Sequence, residues 1–483
     1  MRKPHILLIT IDSLRADHLS TYGYARETSP NIDIFSSEAT VYDNAFSAAN
    51  WTGASLASVL TGLYPTVHGY TNRRYYLDAD VPSVASILKK NGYFTTCFSN
   101  NMYLSSKTGL SRGFDQFLYQ GKPETTVDSS NGRHGESFSQ KIKEVLPLRA
   151  KSVMKDVLDN FHRDVILTRD DGAFATESAF FDWLSDYDSE SPFFAYIHYQ
   201  EPHSIYFPPR PYRKRFFSGS WLEESKYLKF DHIGFFAGHV QFTPEQVKHY
   251  VELYDGEIAY LDWRLGRLFQ FLRDKKIMDQ TLVIVTSDHG ENMGEHNYFW
   301  HAFCLYDSLI RIPFIVRYPE WFEKDVRKSQ LVQTVDIVPT ILDGLSIEWD
   351  YKNGRQGVSF LNGNARDAAL TETFNPEMMI DRWLNRRSDL RKQELEQYIR
   401  DLRAIQTQKE KLVWASDGWH EFYDLHKDRD ESGNLYDSAD PRIRKMEQKL
   451  HEWVGSFQPH VADDTQPGFD KNTWMKMKDL GYA

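Results

Sequence analysis

Three apolar runs of this chain each end in residues able to bind a metal ion. Run 6–11 is followed by Asp12, run 193–197 by His198 with Glu201 and His203 just beyond, and run 282–287 by Asp288 and His289. Two carboxylates and an imidazole suit a divalent cation such as Zn²⁺ or Mn²⁺. A fourth candidate is Thr52, at the start of segment 50–62, which reads as a short helix ended by Gly62. As an ordinary N-cap, Thr52 would accept a backbone N–H. As a functional residue, its hydroxyl would sit where helix N–H groups and the dipole attract an anion. A phosphate or sulfate oxygen would bind there while Thr52 attacks the central atom. A threonine hydroxyl needs activation, and a divalent cation can take the pKa of a bound water from about 15.7 to about 7.

Such distant residues meet only if the elements carrying them converge. Short Ile- and Val-rich runs are expected to be central strands covered on both faces, and open α/β sheets bind ligands at the carboxyl ends of their strands. Helices are expected over 81–91, 172–184 and 246–274, with further strands at 93–98 and 310–316. This alternation predicts an α/β fold, a large and mostly parallel central sheet with helices on both faces. Two polar or aromatic insertions, near 120–170 (with a helix at 144–161) and 208–241, are expected to shape substrate selectivity. The catalytic α/β domain is expected to occupy 1–366, and a smaller C-terminal α+β subdomain 367–483. In the latter, 376–411 reads as a charged surface helix, 411–415 and 420–425 as a hairpin around Asp417-Gly418, and 441–457 as a helix.

Composition narrows the function classes. The chain has 483 residues and a net charge of −11, which argues against nucleic acid as a partner, since that would require a basic footprint. Aromatic residues make up 14%, which suits a ring-lined cleft. Cys97 and Cys304, the two cysteines, are expected to be reduced core thiols rather than a disulfide framework. The apolar run before Asp12 is too short for a signal-peptide core of about 7–15 residues plus a cleavage site. Nor does any stretch approach the ~18 apolar residues of a membrane helix. A soluble, cytoplasmic enzyme is the expectation.

The motifs resemble those of a known family. Residues 11–19 (IDSLRADHL), 22–24 (YGY) and 28–33 (TSPNID) are similar to the opening of sulfatase-family proteins of the alkaline phosphatase superfamily. So are 60–69 (LTGLYPTVHG), 254–262 (YDGEIAYLD), 286–291 (TSDHGE), 294–296 (GEH), 336–340 (DIVPT) and 423–425 (YDL), in order along nearly the whole chain. The resemblance implies a metal held by Asp12, Asp288, His289 and the nucleophile. It implies that His203 contacts substrate and that His301 contacts the transferred group or protonates the leaving group. His198, Glu201 and His296 are weaker candidates. A second metal site on His203, His296 and His301 is a further expectation, and His68 reads as structural.

The departures from the family bear on the chemistry. Sulfatases carry Cys or Ser, matured to formylglycine, within Cys/Ser-x-Pro/Ala-x-Arg. Here the positions read Thr52-Gly53-Ala54-Ser55-Leu56. Threonine cannot yield formylglycine by that route, and it lacks the second hydroxyl whose collapse expels sulfate. The position of another metal-binding Asp is Ser13, which favours Zn²⁺ or Mn²⁺ over Ca²⁺, with Mg²⁺ still open. The leading expectation is a metal-dependent hydrolase of phosphodiesters or phosphonate monoesters with Thr52 as nucleophile. Its substrate would be a small-molecule, glycan- or lipid-derived phosphate or sulfate ester. The alternatives are a sulfuric ester hydrolase without formylglycine, a soluble phosphotransferase, and a degenerate sulfatase-fold scaffold.

Overall fold

Strand β1 (His5–Ile11) shows why the sheet lies at the centre of the molecule. Ile6 and Leu8 pack into one apolar cluster and Leu7, Ile9 and Ile11 into another, all five fully buried. Side chains alternate across a strand, so a run apolar at every position must be covered on both faces. One cover contains the helices Thr52–Thr61, Val84–Lys90 and Ile337–Gly344. The other contains Pro30–Ser36, Ala173–Asp186 and the 31-residue helix Pro244–Asp274. The structure is a computed structural model and describes residues 3–119, 170–220 and 231–459.

The remaining strands of this sheet are β2 (Thr40–Phe46), β3 (Phe94–Ser99), β4 (Gln116–Tyr119), β5 (Phe193–Tyr199), β6 (Thr281–Ser287), β9 (Phe314–Arg317) and β10 (Val326–Gln333). They lie in the order β10-β2-β9-β6-β1-β5-β3-β4. Every pair is parallel except those of β9, which runs antiparallel to both β2 and β6. The expected strand 310–316 is therefore shorter and later. Residues Asp307–Ile310 form a helical turn, and Pro313, lacking an N–H, precedes the strand rather than joining its ladder. A short pair, β7 (Asn292–Met293) and β8 (Phe299–Trp300), leads the chain from β6 back toward the strand ends.

A second sheet, antiparallel throughout, contains β11 (Ala369–Thr373), β12 (Leu402–Gln406), β13 (Glu410–Ala415) and β14 (Glu421–Asp424). Its Ile405, Leu412 and Phe422 share a cluster with Ile443, Met446 and Leu450 of the helix Pro441–Ser456. The hairpin turns at Gly418, whose φ of +86° favours glycine. The sheet is tied to the catalytic layers by Lys411, fully buried, which pairs with Asp307 at 2.9 Å and Glu431 at 2.5 Å.

Stretch 376–411 is not one surface helix. It breaks into helices Glu377–Arg386 and Lys392–Leu395, a 3₁₀ turn, and then β12. Trp383 is fully buried beside Trp300, Phe303 and Phe236, so this segment roofs the site region. The expected helix 144–161 lies outside the described residues. Insertion 208–241 contains helices Arg210–Phe216 and His232–Phe236. Cys97 and Cys304 are buried free thiols. Among the described residues, no helix is long and apolar enough to cross a membrane.

Candidate active site

Strand register assembles the site. Ile11 of β1 pairs with Tyr199 of β5 and Ser287 of β6, so Asp12 and Asp288 leave the sheet side by side. Asp12, Asp288 and His289 are fully buried, with one donor atom from each within 4.8 Å of the others. The helix Thr52–Thr61 points its start at this cluster. Trp51 is the extended N-cap and Thr52 the first helical residue, so Thr52 does not cap the helix. Its Oγ1 lies 3.1 Å from His289 Nε2.

The hydrogen bonds assign the lone pairs. His289 Nδ1 lies 2.8 Å from the Gly290 carbonyl, which only accepts, so Nδ1 carries the proton and Nε2 turns a lone pair toward Thr52. Asp288 Oδ1 accepts from the backbone N–H groups of Ser13 and His289, whereas its Oδ2 accepts no hydrogen bond among the described residues. Asp12 Oδ1 accepts from Ser13 Oγ at 3.0 Å, and Oδ2 from Asn101 Nδ2 at 3.0 Å. Ser13 thus holds a carboxylate where the family often places another ligand.

A divalent cation fits this arrangement. His289 Nε2 is 3.1 Å from Thr52 Oγ1, 3.5 Å from Asp288 Oδ2 and 3.8 Å from Asp12 Oδ1. Ligands about 2.0–2.1 Å from a tetrahedral ion stand roughly 3.3 Å apart, so these spacings match edges of one coordination shell. The electrostatics agree. Burial and the Asp12 charge push the Asp288 carboxyl far above its usual range. Burial also opposes ionisation of Asp12, but His203 and His198 outweigh it and hold that carboxyl low. Two buried carboxylates with one lone pair unmet call for positive charge between them.

Two further histidines face the same space. His203 donates through Nδ1 to the Ser204 carbonyl at 2.6 Å, and its ring lies 4.9 Å from that of His301. The His301 ring is 4.8 Å from that of His289, and its Nδ1 is 3.3 Å from Glu291 Oε1. Burial pushes His203 down to about 4 and His301 well below its ordinary value, while it lifts Glu291 to about 7. Both imidazoles are therefore neutral near pH 7.

The other candidates lie elsewhere. His296 stacks on Tyr306 at 3.7 Å rather than joining His203 and His301. His198 bonds Thr10 Oγ1 at 2.8 Å and lies 3.5 Å from Asp12 Oδ2, backing the site from within the sheet. Glu201 accepts from the Ala173 N–H, at the start of helix Ala173–Asp186. His68 accepts from the Tyr70 N–H and so donates to Ser58 Oγ, pinning the Thr52 helix. Leu56, where the family motif has Arg, is fully buried in the apolar core. Sequence reasoning missed Asn101 and Glu291. Asn101 follows the apolar strand β3 by two residues, at the same carboxyl edge, and that position was its one signal.

Thr52, His301, Trp51, Tyr75, Trp300 and Phe374 line a narrow cleft that opens to solvent. The fold and the site define a class, an α/β protein with a mostly parallel sheet whose strand ends bring together a buried Asp12, Asp288 and His289 cluster able to hold a cation. The family assignment is specific. The sulfatase family model matches residues 4–347, and a model of the N-sulphoglucosamine sulphohydrolase C-terminal region matches 294–458. The chain belongs to the sulfatase family. It is 25% identical to an arylsulfatase of Clostridium perfringens over 92% of each chain. It is 21% identical to an N-acetylglucosamine-6-O-sulfatase of Bacteroides thetaiotaomicron, over 96% of this chain and 88% of that one. The phosphonate monoester hydrolase of Agrobacterium radiobacter superposes with a TM-score of 0.70, covering 94% of this chain and 96% of its own, at 23% identity.

Proposed function

We propose that the protein is a metal-dependent phosphoester hydrolase, acting on a phosphodiester or phosphonate monoester with Thr52 as nucleophile. The observation that carries this reading is an unmodifiable threonine whose Oγ1 lies 3.1 Å from His289 Nε2, inside the cation-ligand cluster. Asp12, Asp288, His289 and Thr52 would hold the ion, with Zn²⁺ or Mn²⁺ favoured because Ser13 supplies no further carboxylate. When bound, the cation lowers the pKa of the threonine hydroxyl and offsets charge on the phosphoryl oxygens.

Thr52 Oγ1 forms a bond to phosphorus as the bond to the leaving oxygen breaks. The N–H groups of the first turn of helix Thr52–Thr61 face the same position and stabilise its equatorial oxygens. His301 lines the cleft beside Thr52 and, as a neutral imidazole, is suited to take the Thr52 proton and hand it on to the departing alcohol, while His203 would hold a phosphoryl oxygen once that anion draws a proton onto its Nε2. Water then cleaves the Thr52 ester, releasing the monoester or phosphonate and restoring the hydroxyl. The substrate would be a small molecule or a glycan- or lipid-derived ester.

Sulfate-ester hydrolysis is the second reading, favoured by relatives that bear sulfatase names. Against it, Thr52 offers no second hydroxyl to expel sulfate, and Leu56 replaces the motif cation with apolar core. The test is a matched aryl ester panel (phosphodiester, phosphonate monoester, phosphate monoester, sulfate) with Mn²⁺ or Zn²⁺, run on wild type and Thr52→Ala. Phosphodiester or phosphonate turnover lost in the variant is expected, and preferential sulfate turnover would overturn the reading.

A further inference from the structure

Strands β1 and β5 bury a polar chain between otherwise apolar residues. Thr10 of β1 pairs with His198 of β5, and Tyr196 lies two residues before His198 on the same face. All three are fully buried, which is costly unless each polar atom is satisfied. Tyr196 Oη lies 2.7 Å from Thr10 Oγ1, which lies 2.8 Å from His198 Nδ1. Thr10 is the one hydrogen-bond partner of the Tyr196 hydroxyl among the described residues, so Tyr196 donates to Thr10 and Thr10 donates to Nδ1. His198 Nδ1 is thus an acceptor, and the ring proton sits on Nε2.

That proton faces the cation-ligand cluster. His198 Nε2 lies 3.5 Å from Asp12 Oδ2, and Asn101 Nδ2 donates to the same oxygen at 3.0 Å. The Asn101 amide is oriented by its own oxygen, which accepts from the Tyr103 N–H at 2.9 Å. The two nitrogens stand 3.2 Å apart, as donors converging on one oxygen do. Asp12 Oδ2 is therefore engaged from the sheet side, and Oδ1 is the oxygen that lies 3.8 Å from His289 Nε2.

We propose that His198, together with Asn101, clamps Asp12 so that it offers a cation one oxygen only, and that His198 is thereby a positioning residue favouring a small ion over Ca²⁺. This rests on Asp12, Asp288, His289 and Thr52 being the cation ligands and is independent of the ester hydrolysed. A carboxylate held to one oxygen suits a small ion such as Zn²⁺ or Mn²⁺. Ca²⁺ gathers about six to eight oxygens and readily takes both from one carboxylate. Thr10 and Tyr196 act one step further back, by fixing the His198 tautomer that points its proton at Asp12.

Calorimetry on chelated protein measures the affinities for Mn²⁺, Zn²⁺ and Ca²⁺ in wild type, His198→Leu, His198→Gln and Asn101→Ala, with thermal melts in EDTA to verify folding. His198→Leu should bind Mn²⁺ and Zn²⁺ about 10- to 100-fold more weakly, the range for losing a partner behind a metal ligand, while Ca²⁺ affinity stays within about threefold of wild type or rises. The preference for Mn²⁺ over Ca²⁺ should thus fall about tenfold or more. His198→Gln, whose amide nitrogen can take the place of Nε2, should recover part of it. Asn101→Ala removes the shorter donor and leaves the strands intact. It should lower the preference in the same direction, which tests the clamp even if His198→Leu does not fold. An unchanged preference in the folded variants, or an equal loss of all three ions, overturns the proposal, because general loosening would weaken every ion alike. Wild type that binds none of the three ions would remove the ligand reading and the clamp with it, whereas binding that ignores His198 and Asn101 would remove the clamp alone.

Discussion

Thr52 Oγ1 and His289 Nε2 lie 3.1 Å apart, joining the start of a buried helix to the end of a central strand 237 residues away. The threonine hydroxyl donates and His289 Nε2 accepts, because His289 Nδ1 is committed to the Gly290 carbonyl. The protein should therefore carry Thr52 unmodified, and an intact mass equal to that of the plain sequence is the expected result. Thr52→Ser keeps the oxygen and should retain measurable turnover. Thr52→Ala removes the nucleophile and should cost on the order of 10³ or more in kcat, as loss of a covalent nucleophile does elsewhere. Comparable rates for Thr52→Ala and wild type on the best ester would remove Thr52 from the chemistry.

Asp288 carries a prediction of opposite sign with and without metal. Its carboxyl is lifted by burial and by Asp12, so in chelated protein the pair destabilises the fold, and Asp288→Asn should melt at or above wild type. In metal-loaded protein the order should invert. An ion at 100 times its Kd adds about 2.7 kcal/mol to wild type, whereas the variant binds it far more weakly. Thermal melts with EDTA and with excess Zn²⁺ or Mn²⁺ would check this. A variant that melts below wild type by the same margin in both conditions would assign Asp288 a packing role instead.

The sequence made the first tier of this site readable because each ligand follows an uninterrupted apolar strand, and parallel strands in register deliver their ends to one edge. It made the supporting tier much harder to see. Asn101 acts through a contact with Asp12 across 89 residues, and Asn has no periodicity or charge signature to betray it. Stretch 376–411 was misleading for a different reason. Its Lys, Glu and Leu composition favours helix, but Leu402, Ala404 and Gln406 pair in β12, where sheet partners override propensity. Thr52 itself was legible as a position and not as a geometry, because whether it caps the helix or begins it depends on the backbone of Trp51.

Gly53 tests how tightly the nucleophile is held. A Cβ there would lie 2.4 Å from Trp51 Cζ3 and 2.6 Å from Tyr70 Cε1, too close for either ring to remain in place. Gly53→Ala must shift Trp51, the N-cap that sets the orientation of Thr52. Overpacking of this kind costs about 1–3 kcal/mol, and a displaced nucleophile should reduce kcat about 100-fold beyond any fall in folded fraction. Denaturant melts and kcat measured on the same preparations would separate the two effects. Wild-type kcat in a folded variant would mean that the cleft tolerates a moved Trp51.

Acid sensitivity should come from buried imidazoles, and His232 is the one that can be altered without touching the ligand cluster. Its ring lies tilted against that of Trp300 at 4.6 Å, and burial together with His301 pushes it down to about 4. An unfolded histidine titrates near 6.5, so between pH 6.5 and 4 the unfolded chain binds a proton that the fold refuses. The stability His232 contributes is present above pH 6.5 and is lost as pH falls toward 4. The full slope would be about 1.4 kcal/mol per pH unit, and a partly exposed edge should reduce it to about 1 or less. His232→Phe keeps a ring against Trp300 and removes the titration. Its urea midpoint should therefore fall less than that of wild type between pH 7 and pH 5, with the m-values unchanged. Identical pH slopes would show that His232 protonates inside the fold without penalty and that the acid limb belongs to His203 and His301.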